Sequence, residues 1–395
     1  MVDRPLQIVE IDTETKAFIL QEISIGGVDL CALAILFADM SILCLTSELE
    51  HFMKEKSTEK AGDLSVVSVY FGGGTPSLAR PKMVGDILST VKRHANMTSD
   101  VEITLEANPK DCLTSHSLED FKTEGINRVS LGVQSIIDDD LKHLGRFHSS
   151  QESREAIDTC QKLFDSVSVD LICGRHQQKP SQWREELRQV LDLHCDHLSI
   201  YNLTIEKGTK YDRMKQEGKL SLPDENESLE MYRDSRSICQ EFGLKQYEVS
   251  SYGRDGHRSK HNLHYWKGGS YIGIGPGACG RWIDTSGEVY EMKQMKHPTQ
   301  WMKSVESIGH GTQDRIRLEP SEIIQEYILF NMRKVEGIKR REFEERFKRE
   351  LKDVFGVMTE AMREEGLIVV DEEGVRATDR GREVLDAIMD RIKIS

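Results

Sequence analysis

Val66-Val-Ser-Val-Tyr-Phe-Gly-Gly-Gly-Thr-Pro76 is the stretch on which the fold reading turns. Val66 to Phe71 is apolar, β-branched and aromatic, and has the length of one strand. Three glycines end it at once. Glycine accepts positive φ and lets another group approach the backbone, so Gly72, Gly73 and Gly74 read as a binding edge or as a tight turn. Thr75 adds a hydroxyl, Pro76 stiffens the exit, and a helical pattern follows. A strand that stops in bare backbone before a helix is how open α/β sheets and barrels present a ligand site.

Outward from this stretch, two periodicities alternate. Strand patterns lie at 66–71, 101–105, 127–131, 166–172, 197–201 and 246–250, and helical patterns at 82–93, 118–124, 153–163, 183–193 and 229–241. Such alternation predicts βαβ units around a parallel sheet, with functional side chains at the C-terminal strand ends. Residues 253–310 read as irregular and rich in Gly, His and aromatics. Beyond Pro320 the pattern is of amphipathic helices at 323–335, 341–347 and 351–365. A hairpin follows around residues 373–374, and Thr378 caps a last helix over 381–394. These features predict a winged-helix-like module. The division expected is 1–45, a divergent segment; 46–252, a partial barrel; 253–318, a connecting region; and 319–395, the helical module.

A chain of 395 residues suffices for one large domain and a smaller one. The formal net charge of −14 opposes nucleic-acid binding, which rests on Lys and Arg neutralising phosphates. The C-terminal module, with 15 Lys/Arg against 19 Asp/Glu, is equally unsuited to DNA. Eight cysteines are scattered without a Cys-x-x-Cys pair, which predicts free thiols in a reducing compartment rather than zinc or disulfides. Residues 25–45 are apolar but carry Asp29 and Asp39, so a buried element is expected there and no stable membrane span. The acidic N-terminus reads as no presequence and gives no address, so the expected location is the cytoplasm unless a family resemblance supplies another.

Five segments occur in order: Gly72-Gly-Gly-Thr-Pro-Ser77, Leu105-Glu-Ala-Asn-Pro109, Arg128-Val-Ser-Leu-Gly-Val-Gln-Ser135, His261-Asn-Leu-His-Tyr-Trp266 and Gly273-Ile-Gly-Pro-Gly-Ala278. Together they resemble the oxygen-independent coproporphyrinogen oxidase family of radical S-adenosylmethionine proteins. The His-Asn-x-x-Tyr-Trp segment resembles the heme-chaperone branch, called HemW in bacteria and mitochondrial in eukaryotes. The resemblance runs from about Ser47 to the C-terminus and implies an incomplete parallel (β/α)6 barrel. It also implies S-adenosylmethionine and a [4Fe-4S] cluster as cofactors, and heme as cargo. The family holds its cluster on a Cys-x3-Cys-x2-Cys loop after the first strand. Only Cys31 and Cys44 lie in this region. Two such thiols cannot grip three corners of a cluster. The expectation is therefore a barrel missing its first strand and cluster loop, with no metal ligands. It is read either as a cluster-less product or as a sequence whose first exon is not the family's.

The resemblance places Gly73, Gly74, Thr75, Glu106, Gln134, Arg146 and Asp170 around S-adenosylmethionine, with Thr204 and Cys279 in looser correspondence. The residue types suit that ligand. Its amino group wants carbonyls or hydroxyls, its carboxylate a cation and its ribose an acid or amide acceptor. Plainer readings stand beside these: Glu106 as a cap on the Asn-Pro turn, Arg146 as a surface ion pair. Asp170 lies in an apolar strand and therefore needs a partner or a ligand. Two departures from the family are present. Gly174-Arg-His-Gln-Gln178 replaces the usual Gly-Leu-Pro-x-Gln, exchanging a stiff apolar turn for a basic, flexible one. Ala278-Cys-Gly280 stands where Ala-His is common. His261 and His264 lie three apart on one helical face and could serve as axial heme ligands, with Tyr265 and Trp266 stacking on a porphyrin, or could be core and cap residues. His143 and His148 flank Arg146 as weaker candidates. The expected function is a heme-binding chaperone that passes heme to an acceptor protein. The alternatives are a radical oxidoreductase acting on coproporphyrinogen III, or a truncated product without activity.

Overall fold

The computed structural model describes residues 21–25, 28–32, 38–59, 64–73, 75–114, 118–205, 207–284, 286–355 and 358–392. Gly74 and the first twenty residues of the divergent segment lie outside the described residues. Two short strands come first, β1 (Gln21–Ile25) and β2 (Val28–Ala32). The βα alternation follows in β3 (Ser65–Phe71), β4 (Asn96–Ala107), β5 (Arg128–Gln134), β6 (Ser166–Cys173) and β7 (His197–Asn202). From β2 to β7 the strands are parallel neighbours in chain order. Helices Ala38–Glu59, Pro81–His94, Leu118–Glu124, Ser150–Leu163 and Pro180–Leu191 connect them. These are the βαβ units and parallel sheet that the alternation predicts, in the (β/α)6 half-barrel that the resemblance implies.

The expected loss of the first strand is corrected. β2 pairs in parallel with β3, Cys31 opposite Tyr70 and Ala32 opposite Phe71, and so occupies the first-strand position. Val-Asp-Leu-Cys-Ala carries no resemblance to the family, yet with β1, which pairs antiparallel with β3, it covers that edge of β3. Residues 253–310 are likewise not irregular. They hold helix Lys260–Trp266, strands β10 (Tyr271–Gly273), β11 (Cys279–Ile283) and β12 (Val289–Gln294), and helix Pro298–Ile308. With β13 (Thr312–Arg317) these strands form an antiparallel meander that extends the sheet beyond β1. On the far side, the strand expected at 246–250 is replaced by two short strands that flank it, β8 (Lys245–Gln246) and β9 (Ser251–Gly253); β9 lies antiparallel to β7, and β8 antiparallel to β9 at the sheet edge.

The barrel wall has two chemically distinct faces because its strands alternate with period two. Val129, Leu131, Val167, Val169, Leu171 and Leu198 are wholly buried in the layer beneath the helices. The opposite parity reads Ser68, Tyr70, Glu102, Thr104, Glu106, Arg128, Ser130, Ser168, Asp170, His197, Ser199 and Tyr201. Strand register sets these side by side: Tyr70 against Thr104, Glu106 against Ser130, Ser130 against Ser168, and Asp170 against Ser199. The concave face is therefore polar, unlike a barrel packed solid with branched aliphatics.

The C-terminal module has its own core, including Ile328, Met332, Phe343, Ile368, Val375 and Ile388. Helices Pro320–Arg333 and Arg340–Phe347 pack with a three-stranded sheet of β14 (Ile338–Lys339), β15 (Ile368–Val370) and β16 (Gly374–Ala377). Thr378 accepts a hydrogen bond from the Gly381 N–H at 2.9 Å, as a cap should. The helix it opens breaks at Val384 into Asp379–Glu383 and Leu385–Arg391.

Candidate functional site

Gly73, Thr75, Glu106 and Gln134 lie at or just beyond the C-terminal ends of β3, β4 and β5, and Asp170 lies within β6. Gly73 follows β3 with φ of 74°, a conformation that favours glycine, and its N–H donates to Glu106 Oε2 at 2.9 Å. The other oxygen of Glu106 accepts from the Tyr70 hydroxyl at 2.7 Å. Glu106 thus ties the glycine turn to the end of β4 and does not cap the Asn-Pro turn. Asn108 ties the Asn-Pro turn to the glycine loop: its amide donates to Thr75 Oγ1 at 3.3 Å and to Asp111 Oδ2 at 3.2 Å, and Ser77 donates to the same Asp111 oxygen. Thr75 is therefore held in place by the loop after β4.

Asp170 has the partners its burial demands. Ser130 Oγ donates to Oδ2 at 2.9 Å and Ser168 Oγ to Oδ1 at 3.3 Å. Burial nevertheless raises its pKa, against the opposing pull of the Ser199, Ser130 and Ser168 hydroxyls and the Arg128 charge. Glu106 is raised for the same reason, and the Asp170 charge raises it further, against the hydrogen bonds from Tyr70 and Gly73. The two half-buried carboxylates lie on one face, and among the described residues no cation is hydrogen-bonded to either. Such a pair is complementary to a ligand carrying positive charge.

Gln134 ends β5 at φ of 66°, rare for a residue with a Cβ, at a cost on the order of 1–3 kcal/mol. Its Nε2 stands 2.9 Å from the point a Cβ on Gly132 would occupy, so Gly132 leaves the space that the amide fills. Ala107 O and Asn108 Oδ1 border that space, which puts the amide beside the strand end that carries Glu106. Arg146 is half-buried one turn after helix Asp138–His143, and its charge lowers the pKa of His148, which burial lowers more. Thr204 lies two residues beyond β7, with its hydroxyl 3.4 Å from Asn202 O. Cys279 is exposed at the start of β11.

The expected basic, flexible turn at 174–178 is corrected. Arg175 is 1% exposed and forms ion pairs with Glu186 and, at 3.0 Å, with Asp140. Gln178 Oε1 accepts from the backbone N–H groups of Gly174 and Arg175 at 2.8 and 3.2 Å, so the turn is locked from both ends.

The His-Asn-x-x-Tyr-Trp segment is helix Lys260–Trp266. Glu102 receives its N-terminus: Lys260 N and His261 N donate to the two carboxylate oxygens at 3.0 Å each. His261 is buried, stacked on the Tyr70 ring at 4.4 Å and 19°, with Nδ1 3.5 Å from Ser68 Oγ. Burial lowers its pKa to about 3 and that of His264 to about 4. His264 Nε2 is 3.2 Å from Ser270 O. Both imidazoles are neutral in the fold; His261 is the more deeply buried, and His264 is half-buried. Tyr265 packs edge-on against His261 and Tyr271.

The residues present do not fit an iron–sulfur cluster. The sequence has no Cys-x3-Cys-x2-Cys, and no group of three or more His, Cys, Asp or Glu among the described residues could hold a metal ion. Cys44, Cys112, Cys160, Cys173, Cys195 and Cys239 are buried, and burial pushes the thiols of Cys173 and Cys195 up to about 12. Thiolate, not thiol, ligates iron. The carboxylates, amide and hydroxyls of the rim, in contrast, fit the cationic and polar groups of S-adenosylmethionine.

Sequence reading missed the polar ladder behind the rim. Ser168 Oγ lies 2.7 Å from His197 Nδ1, and His197 Nε2 lies 2.8 Å from the Tyr247 hydroxyl. The signal was present: Ser130, Ser168, Asp170, His197 and Ser199 share one strand parity.

A model of the Radical SAM superfamily matches residues 50–190, and one of the HemN C-terminal domain matches 318–384. The chain is 38% identical to the mitochondrial radical S-adenosyl methionine domain-containing protein 1 of Bos taurus, an alignment covering 88% of this chain and 78% of that one. It is 30% identical to the heme chaperone HemW of Bacillus subtilis over 82% of this chain and 84% of that one. The corresponding protein of Escherichia coli is 33% identical over 70% and 71%. Among solved structures, the Escherichia coli coproporphyrinogen III oxidase HemN superposes with a TM-score of 0.71, 19% identity, and coverage of 91% of this chain and 85% of that one. That likeness establishes the half-barrel fold.

Proposed function

Because the chain belongs to the radical S-adenosylmethionine family, in the branch of the HemW heme chaperones and their mitochondrial relatives, we propose that it binds heme and delivers it to an acceptor protein. The observation that carries this reading is the docking of helix Lys260–Trp266 against β3. It gathers His261, Tyr265, Tyr271 and Tyr70 into one aromatic group that shares Tyr70 with Glu106. Heme is flat, apolar at its faces and charged at its propionates, and imidazole and aromatic rings suit it. His264 is the more accessible of the two candidate axial ligands; it would exchange Ser270 O for iron. The relatives' names motivate a mitochondrial location, which this proposal includes.

In the same proposal the rim binds S-adenosylmethionine. Bound there, that molecule supplies a sulfonium and an ammonium charge and a ribose. Glu106 and Asp170 receive positive charge, Thr75 and Gln134 offer an acceptor hydroxyl and amide, and Arg146 offers a cation to the carboxylate. The chain's own residues give no purchase for reductive cleavage, so porphyrinogen oxidation is not part of this reading.

The experiment is heme hand-over. The chain loaded with hemin is mixed with apomyoglobin and followed in the Soret band. The expected result is saturable uptake by the chain and complete transfer within minutes, with uptake weakened in His264→Ala. A chain that takes up no hemin, or holds it against apomyoglobin, contradicts the proposal.

A further inference from the structure

We infer that the buried Arg175–Glu186 ion pair is a positioning device for Gln134, holding the left-handed turn that presents its amide at the barrel rim. This rests on the reading of that rim as a pocket for S-adenosylmethionine. The sheet alone does not set the turn: the register between β5 and β6 slips between Leu131 and Gln134, and Gln134 pairs with Leu171 only after that slip. Ser135 N–H donates back to Val133 O at 2.7 Å, closing a γ-turn around Gln134, and γ-turns of positive φ are strained. A strained turn persists only where its surroundings over-determine it.

Those surroundings are the ion pair. Arg175 Nη1 donates to Gln134 O at 3.3 Å and to Ile172 O at 3.0 Å. Its partner Glu186 accepts from Ser135 Oγ at 2.6 Å and from Ile136 N–H at 3.0 Å. The next two residues after Gln134 and its own carbonyl are thereby fixed by two opposite charges that also fix each other. Arg175 and Glu186 are 1% and 2% exposed, so the contacts are made out of water, where they are strong. Asp140, at 3.0 Å from Arg175, anchors the guanidinium to helix Asp138–His143.

Removing Arg175 alone leaves Glu186 buried without its partner, so the test uses Arg175→Met/Glu186→Gln, which keeps volume and an acceptor oxygen, and Arg175→Lys, which keeps the ion pair. Two quantities are read in the full chain. One is affinity for S-adenosylmethionine by calorimetry, in the Gln134 and in the Gln134→Ala background. The other is hydrogen exchange of the Ser135 and Ile136 amides. The expected result for Arg175→Met/Glu186→Gln is at least a tenfold loss of affinity in the Gln134 background, no further loss in the Gln134→Ala background, and at least tenfold faster exchange at Ser135, while Arg175→Lys stays close to the unaltered chain in both readouts. Equal losses in both backgrounds, or unchanged exchange in an Arg175→Met/Glu186→Gln chain that melts cooperatively, overturn the inference. If the unaltered chain takes up no S-adenosylmethionine, the pocket reading falls, and the exchange measurement alone decides whether the ion pair holds the turn.

Discussion

Glu106 is where the glycine turn and the barrel interior meet. Each of its oxygens accepts one hydrogen bond, from Tyr70 and from Gly73, and an amide can accept only on one side. Glu106→Gln is therefore expected to lower stability by about 1–2 kcal/mol in urea unfolding and to weaken S-adenosylmethionine binding at least tenfold in calorimetry. His261 makes a second prediction, in pH. Its imidazole is neutral in the fold and titrates near 3, whereas in the unfolded chain it titrates near its ordinary value of 6.5. The unfolded state thus binds the extra proton first, and stability is lost as pH falls below about 6.5. Between pH 7.5 and 5 the wild type should lose about 2 kcal/mol through this group, and His261→Gln should lose none of that share. The difference in unfolding free energy between the two should shrink by that amount; a constant difference would show that His261 is already solvated in the fold. Asp170 was legible in the sequence as a charge needing a partner. Arg175 was not, because an arginine in a turn reads as exposed until the acid that buries it, eleven positions on in a helix, is brought alongside.

Among the elements, helix Ala38–Glu59 shows how an edge outside the family pattern is fixed. Glu48 is fully buried and accepts from Gly275 N–H at 2.8 Å, Gly311 N–H at 2.6 Å and Trp301 Nε1–H at 3.0 Å. Every partner is a donor, so both oxygens must remain acceptors, although burial raises the pKa to about 7. Glu48→Gln turns an NH2 toward these donors and should cost about 2–3 kcal/mol, read as a fall in melting temperature. A change within the error of the measurement would mean that the helix is held by its apolar face alone. The strands β3 to β7 and their helices were legible from period alone. β13 was not: Thr-Gln-Asp-Arg-Ile-Arg is an edge strand of mostly exposed, charged side chains, and such a strand carries no burial pattern to read. β2 was hidden for a different reason, since its residues obey strand chemistry but no family motif.

Across the whole molecule, helix Lys260–Trp266 joins the barrel to the C-terminal module. Its far end meets Phe330 through Trp266 at 6.2 Å, with Arg333 over the same indole. Arg346 donates to the carbonyls of Lys267 and Gly268 at 3.0 and 2.9 Å and lies over the Tyr327 ring. Arg346→Ala should cost about 1–3 kcal/mol and raise hydrogen exchange at residues 267–269 while leaving β3 protected. Equal exchange in variant and wild type would mean that the module does not brace this helix. Among the described residues no helix is long and apolar enough to cross a membrane. Heme handling on a barrel without cluster ligands is the claim that unites these scales. Its most direct measurement is a hemin titration in the Soret band, run on the chain before and after anaerobic reconstitution with ferrous iron and sulfide. The account predicts the same saturable Soret shift in both samples and no retained sulfide; a shift that appears only after reconstitution, or in neither sample, would contradict it.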